Sequence, residues 1–217
     1  MQDAPVRFLS RTGAVVSLPM KLDLFSRHKA EYVAPRSPRL VRIGPARYLS
    51  AGGRGDPNGP GFGTAVGALY AVAFTIKMAK KAARQDFKVG KLEGLWWGNR
   101  RGQLLIEAPV ATWRWKAMIR VPTFVTARDL AAARRSLAER GRALTVPVRL
   151  ETLAEGKCVQ LLHRGPYREE HSSIRAMLAF AGGQGLGPRG RHHEIYLNDP
   201  GRVPPARLRT ILRQPVR

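Results

Sequence analysis

The sequence predicts an α+β fold made of duplicated strand, helix, strand, strand units, related by a pseudo-two-fold with a central ligand cleft between them. Its own repetition is the first ground. GKCVQLLHRGPYREEHSSIRAMLAFA followed by HHEIYLNDP and LRTILRQPV echoes ARYLSAGGRGDPNGPGFGTAVGALYAVA followed by KLEGLWWGN and WKAMIRVPTF. Each copy reads as a strand, a Gly-Pro or Asp-Pro turn, an amphipathic helix, a strand with one glutamate, and a segment ending in Arg-x-Pro. The second ground is size: with 217 residues, 44% of them hydrophobic, the chain can form a real core and bury roughly 70% of its unfolded surface. This reading places one domain over 20–217, with repeats at about 40–125 and 150–217, and pairs Glu93 with Glu194 across the cleft.

Residues 1–19 show no clear period and are read as a poorly packed leader. Leucines, a phenylalanine and flanking charges suggest a short helix from Leu22 to Tyr32, closed by Pro35 and Pro38. Val41 and Ile43 alternate with basic residues, and Arg47 to Ala51 continues as the first strand of the repeat. GGRGDPNGPGFG is a turn-rich loop leading into a helix over Phe62 to Arg84. Val66, Leu69, Tyr70, Ala73 and Ile76 fall on one face of that helix, and Lys77, Lys80 and Lys81 suit its C-terminus. Leu92–Trp97 and Trp113–Val121 read as an antiparallel pair, with a further strand possible at Leu104–Ile106. Thr126 caps a charged helix ending at Arg140 that joins the copies. The second copy supplies a strand at Cys158–His163, a helix over Glu169–Phe180, a strand at His193–Leu197 and a last strand or helix around Leu208–Leu212.

Composition narrows the function classes. Cys158 is the only cysteine, which excludes an intramolecular disulfide framework and a multi-cysteine metal site. The longest apolar stretch, Gly67 to Met78, contains Lys77 and runs into Lys80 and Lys81, so no membrane partner is expected and the protein is placed in the cytoplasm. A net charge of +23 invites weak non-specific nucleic-acid binding, yet the basic residues are spread from Arg7 to Arg217 without a dense stripe. No cofactor is expected: GGQGLGPRG has a GxGxxG spacing but follows a helix and precedes a strand, the reverse of a dinucleotide fingerprint. His192 and His193 point to opposite faces of a strand, which disfavours a shared metal.

Strand alternation puts His192, Glu194 and Tyr196 on one face. In an apolar cleft, Glu194 would be pushed toward neutrality and suited to hold water or donate a proton; on an open face it is an ordinary solvated glutamate. Trp113 and Trp115 share a face, Trp97 shares one with Glu93, and Trp96 points the other way. Such rings either line a planar aromatic or cationic small molecule or fill the core. Tyr70 could bring a hydroxyl to the same cleft or sit half-buried on its helix.

With these residues placed, the chain resembles the GyrI-like small-molecule-binding family. The resemblance rests on GDPN at Gly55–Asn58, ALYAVAFTIK at Ala68–Lys77, LEGLWW at Leu92–Trp97, WRWKAMIRVPTFVT at Trp113–Thr126, LHRGPY at Leu162–Tyr167, HHEIYLNDP at His192–Pro200 and LRTILRQPV at Leu208–Val216. It implies a duplicated GyrI-like fold with a cleft between the copies. It also implies a place near the stand-alone members, hydrolases that open the cyclopropane of DNA-alkylating natural products. On that likeness Glu194 is the expected catalytic residue and Trp96, Trp97, Trp113 and Tyr196 are pocket walls; the residues themselves add Tyr70 or Tyr196 as aids to Glu194, and Trp115 and Glu93 as further ligand-facing residues. The competing readings are a sequestering or sensing module using the same cleft, and a gyrase- or DNA-interacting protein.

Overall fold

The computed structural model describes residues 7–9, 15–17, 21–100 and 104–217. Arg7–Leu9 (β1) and Val15–Ser17 (β2) pair as an antiparallel ribbon apart from the main sheet. The rest of the expected leader lies outside the described residues.

Leu24–Arg27 (α1) and Lys29–Tyr32 (α2) stand where one helix over Leu22–Tyr32 is expected. Asp23 caps α1 by accepting from the backbone N–H of Phe25 at 2.9 Å, while Leu22 forms a bridge with Phe87 and so cannot begin the helix. Arg39–Ile43 (β3) and Ala46–Arg54 (β4) are separate strands, parted at Gly44 and Pro45, where proline cannot donate to a ladder. Pro60–Ala82 (α3) carries Pro60 at its first turn and buries Ala65, Ala68, Leu69, Val72, Ala73 and Ile76. By length and composition α3 is apolar enough to cross a membrane, and those six residues pack into the core.

Leu92–Trp97 (β5) and Arg114–Val121 (β6) pair antiparallel, as the sequence predicts. The strand expected at Leu104–Ile106 is instead a 3-10 turn over Leu105–Glu107. Both edges of β5 are already occupied, by β6 and by the later strand β9 (His192–Tyr196), so no partner remains for it there. Ala127–Glu139 (α4) starts with a full capping box between Thr126 and Asp129. Arg149–Leu153 (β7), Gly156–Arg164 (β8), Glu170–Gly183 (α5), β9 and Arg209–Pro215 (β10) complete the chain. The last element is a strand, because β8 and β9 both bond to it.

The main sheet is antiparallel in the order β3-β8-β10-β9-β5-β6-β4-β7. The trios β4-β6-β5 and β8-β10-β9 have matching internal order, and β5 meets β9 at the centre. Each half also lends its leading strand to the other: β3 precedes β4 but pairs with β8, and β7 precedes β8 but pairs with β4. Helices α3 and α5 cover one face, packing on Leu49, Ala117 and Ile119 in one half and on Val159, Leu161 and Leu212 in the other. Tyr32 of α2 packs on the opposite face, against Ile195 and Ile211.

Candidate active site

Register between the two central strands decides which side chains meet. Gly94 opposes Glu194, Trp96 opposes His192, Glu93 opposes Ile195, and Leu95 opposes His193. Alternation therefore sets Gly94 and Trp96 with His192, Glu194 and Tyr196 under α3 and α5. Glu93, Leu95 and Trp97 go with His193 and Ile195 to the α1–α2 side. The expected pairing of Glu93 with Glu194 across one cleft is corrected by this register: the two are on adjacent strands but opposite faces. A shift of one residue along a strand exchanges faces, so Gly94 and not Glu93 stands beside Glu194.

Under the helices, Glu194 Oε2 accepts from the Tyr196 hydroxyl at 2.7 Å, and that hydroxyl accepts from Trp96 Nε1 at 3.2 Å. Glu170, in the first turn of α5, brings a second carboxyl into hydrogen-bond range of Glu194. The two residues are only 4% and 7% exposed, Glu170 the more hidden. Burial pushes the Glu194 carboxyl up to about 7, against the opposing pull of the Tyr196 and Glu170 bonds and the nearby His193 charge. Glu170 is driven well above the carboxylate range by burial and then by Glu194. Two buried carboxyls this close resist ionising together, so burial and their mutual repulsion hold the pair above the usual carboxylate range. His192 Nε2 lies 3.6 Å from Glu194 Oε1, and burial depresses His192 to about 3, so its ring is neutral there.

Aromatic rings frame the pair. Trp96 packs against Phe62 at 5.2 Å between centroids and edge-on to Trp113 at 5.8 Å, while Tyr167 meets Tyr196 at 5.6 Å. Trp113 is oriented by its Nε1–H, which donates to the Ala108 carbonyl at 2.8 Å. Trp115, expected at the ligand, lies over Gly53 in the core, where a Cβ on Gly53 would fall 2.3 Å from its ring. Tyr70 is half-buried on α3, outside the hydrogen-bonded chain of Trp96, Tyr196 and Glu194.

The opposite face holds an ion network. His193 Nε2 is 3.0 Å from Glu93 Oε2, and His193 Nδ1 is 3.0 Å from Glu155 Oε2. Arg213 Nη1 donates to Glu155 at 3.0 Å, and the Tyr32 hydroxyl donates to Glu93 Oε1 at 2.9 Å. Burial opposes charge on His193, yet its two carboxylate neighbours raise it to about 9, and Glu155 is held down at about 2 by His193 and Arg213 despite burial. Glu93 is thus part of a sealed ion cluster, and Trp97 stacks beneath the Arg191 guanidinium at 3.8 Å on that same side. Neither side chain shares the face of Glu194, which corrects their expected place beside it. Both ring nitrogens of His193 face carboxylates, and among the described residues no three His, Cys, Asp or Glu side chains form a metal site.

A family model for the GyrI-like small molecule binding domain matches residues 36–217. The chain belongs to the GyrI-like family. Two solved structures from Listeria innocua are similar along nearly its whole length. An uncharacterized conserved protein is 35% identical with a TM-score of 0.83, and a hydrolase is 33% identical with a TM-score of 0.80; each comparison covers 91% of this chain and 100% of the other. The EcmrR C-terminal domain, at 10% identity and a TM-score of 0.54 over 83% of this chain and 97% of its own, shares the fold alone. No match was found among curated proteins.

In this GyrI-like domain the expected Glu194, Tyr196, Trp96 and Trp113 lie together, joined by Glu170, Phe62 and Tyr167, which sequence reasoning did not single out. The sequence shows Glu169 and Glu170 side by side at the start of a helix, an ordinary place for acidic residues. Helix phase separates them: Glu170 turns inward and Glu169 stays exposed. Oε1 of Glu170 and both ring nitrogens of His192 are buried without a hydrogen-bond partner, and the Thr210 hydroxyl lies beside Glu170, a concentration of polar capacity around the carboxyl pair.

Proposed function

We propose that this GyrI-like protein is a hydrolase acting on a flat, electrophilic small molecule, and that its reaction is the opening of a cyclopropane conjugated to a carbonyl in a DNA-alkylating natural product. The observation that carries the reading is a pair of carboxyls, Glu194 and Glu170, buried together beside Trp96 and Tyr196. The two halves form a duplicated, pseudo-two-fold frame whose helical face presents this pair at the central junction of β5 and β9. The hydrolase from Listeria innocua, similar over the same length, supports the reaction class.

In the proposed step Glu194 takes a proton from water, whose oxygen bonds the ring methylene carbon. The cyclopropane carbon–carbon bond breaks, and its electron pair passes through the conjugated system to the carbonyl oxygen. Glu170 gives that oxygen its proton, so one water is added overall and proton return between the carboxyls restores the pair. Tyr196 and Trp96 position Glu194 through their hydrogen bonds, while the faces of Phe62, Trp96 and Trp113 hold the planar substrate. A positioned acid or base contributes about 10² to 10⁴ in rate.

Incubation of the purified protein with such a compound should produce the ring-opened, water-added product. Full turnover by Glu194→Gln would remove Glu194 from the chemistry. A second reading, a sequestering module for planar cations, is favoured by aromatic rings beside a carboxyl that ionises near neutrality. It differs in that the ligand returns unchanged.

A further inference from the structure

A groove of about 650 Å³ runs between α3 and α4, away from the carboxyl pair. Its α3 wall includes Ala71, Phe74 and Met78, which fall at three- and four-residue steps, and Phe74 and Met78 are 53% and 56% exposed. Ala132 and Ser136 of α4 keep the other wall low. Large apolar side chains on one helical stripe are the kind of surface a ligand or partner covers.

The charges along the groove are asymmetric. Lys80 pairs with Asp129 at 3.0 Å, which sets the start of α4 beside the end of α3. The helices therefore run antiparallel, and Arg140 and Arg142, both exposed and lining the groove, fall at its opposite end near Gly67. One end is a closed ion pair; the other presents two guanidinium groups. From Gly67 to Met78 the α3 wall is about 16 Å long at the helical rise per residue, the reach of a medium-length alkyl chain. The volume lies within the usual range for small-molecule sites.

We propose that this groove binds an amphiphile with a single anionic head, of the fatty-acid class. Its chain lies along Ala71, Phe74 and Met78, and its carboxylate meets Arg140 and Arg142, whose forked donors suit a bidentate contact. The site is separate from the carboxyl pair and does not depend on the proposed hydrolysis.

Calorimetric titration of the full chain with sodium myristate, below its micelle concentration, tests the assignment. Near-stoichiometric binding is expected, weakened about tenfold or more by Arg140→Glu with Arg142→Glu, as for loss of a charge-assisted contact. Phe74→Glu should weaken it comparably, and Glu194→Gln should leave it unchanged. Phe74 is exposed, so its substitution leaves the core intact. The assignment is overturned if myristate does not bind, if myristyltrimethylammonium binds equally well, or if Phe74→Glu has no effect, which would indicate adsorption to the basic surface. It is also overturned if Glu194→Gln abolishes binding, or if the stripe is buried in a dimer that Phe74→Glu dissociates.

Discussion

Gly94 stands directly opposite Glu194 in the β5–β9 ladder, and its missing side chain is what allows Trp96 to reach the Tyr196 hydroxyl. A Cβ at Gly94 would lie 2.7 Å from Trp96 Nε1 and 3.1 Å from the Tyr196 oxygen. Gly94→Ala should therefore break the chain from Trp96 through Tyr196 to Glu194 while keeping the ladder. Hydrolysis should fall by about tenfold or more, the cost of a displaced polar contact to a charged group, and the crowding should lower stability by about 1 to 3 kcal/mol. An unchanged rate would show that Tyr196 does not position Glu194.

Glu194→Gln separates chemistry from stability. The folded carboxyl ionises near 7 against an ordinary value of 4.5, so the native state binds the extra proton and is favoured at low pH. That contribution is fully present below 4.5 and is lost as pH rises through about 7. The isosteric amide cannot ionise, so Glu194→Gln should gain stability over the parent at pH 8 and differ little at pH 4.5, while hydrolysis is lost at both. Thermal melts across this range check the sign.

Glu170→Gln keeps a donor toward Glu194 and removes the proposed acid. With the parent, kcat/KM should rise through about pH 7 as Glu194 ionises and fall at higher pH as Glu170 loses its proton. In the variant the low-pH limb should remain near 7 while the rate drops by about 10² or more and the high-pH limb disappears. Persistence of that limb would assign it to another group.

His193 holds Glu93 and Glu155 together on the far side of the sheet. Its folded value of about 9 exceeds the ordinary 6.5, so its stabilisation is complete below 6.5 and is lost as pH rises through 9. His193→Gln should cost about 3 to 5 kcal/mol near pH 6.5, as for a broken buried ion pair, and flatten the parent's loss of stability between pH 7 and 9. Denaturant unfolding at several pH values measures both effects.

Much of the frame is legible along the chain. The long apolar stripe of α3, the capping residues Thr126 and Asp129, and the antiparallel pair β5 and β6 follow from local periodicity and turn chemistry. Short β7 carries a mixed pattern, RLETL, that no local rule separates from a loop. The Leu104–Ile106 segment is apolar enough for a strand, yet Leu105 and Ile106 pack against different clusters, one in each half.

By itself the sequence determined α3, α4, the β5–β6 pair and the face on which Glu194, His192 and Tyr196 lie, because helix and strand periods are local properties. Tertiary structure decided the rest of the site. Register between distant strands sent Glu93 and Trp97 to the other side of the sheet, since a shift of one residue exchanges faces. The packing of α5 then turned Glu170 toward Glu194, and burial of the two together raises both carboxyls, an effect of proximity and desolvation absent from either segment alone.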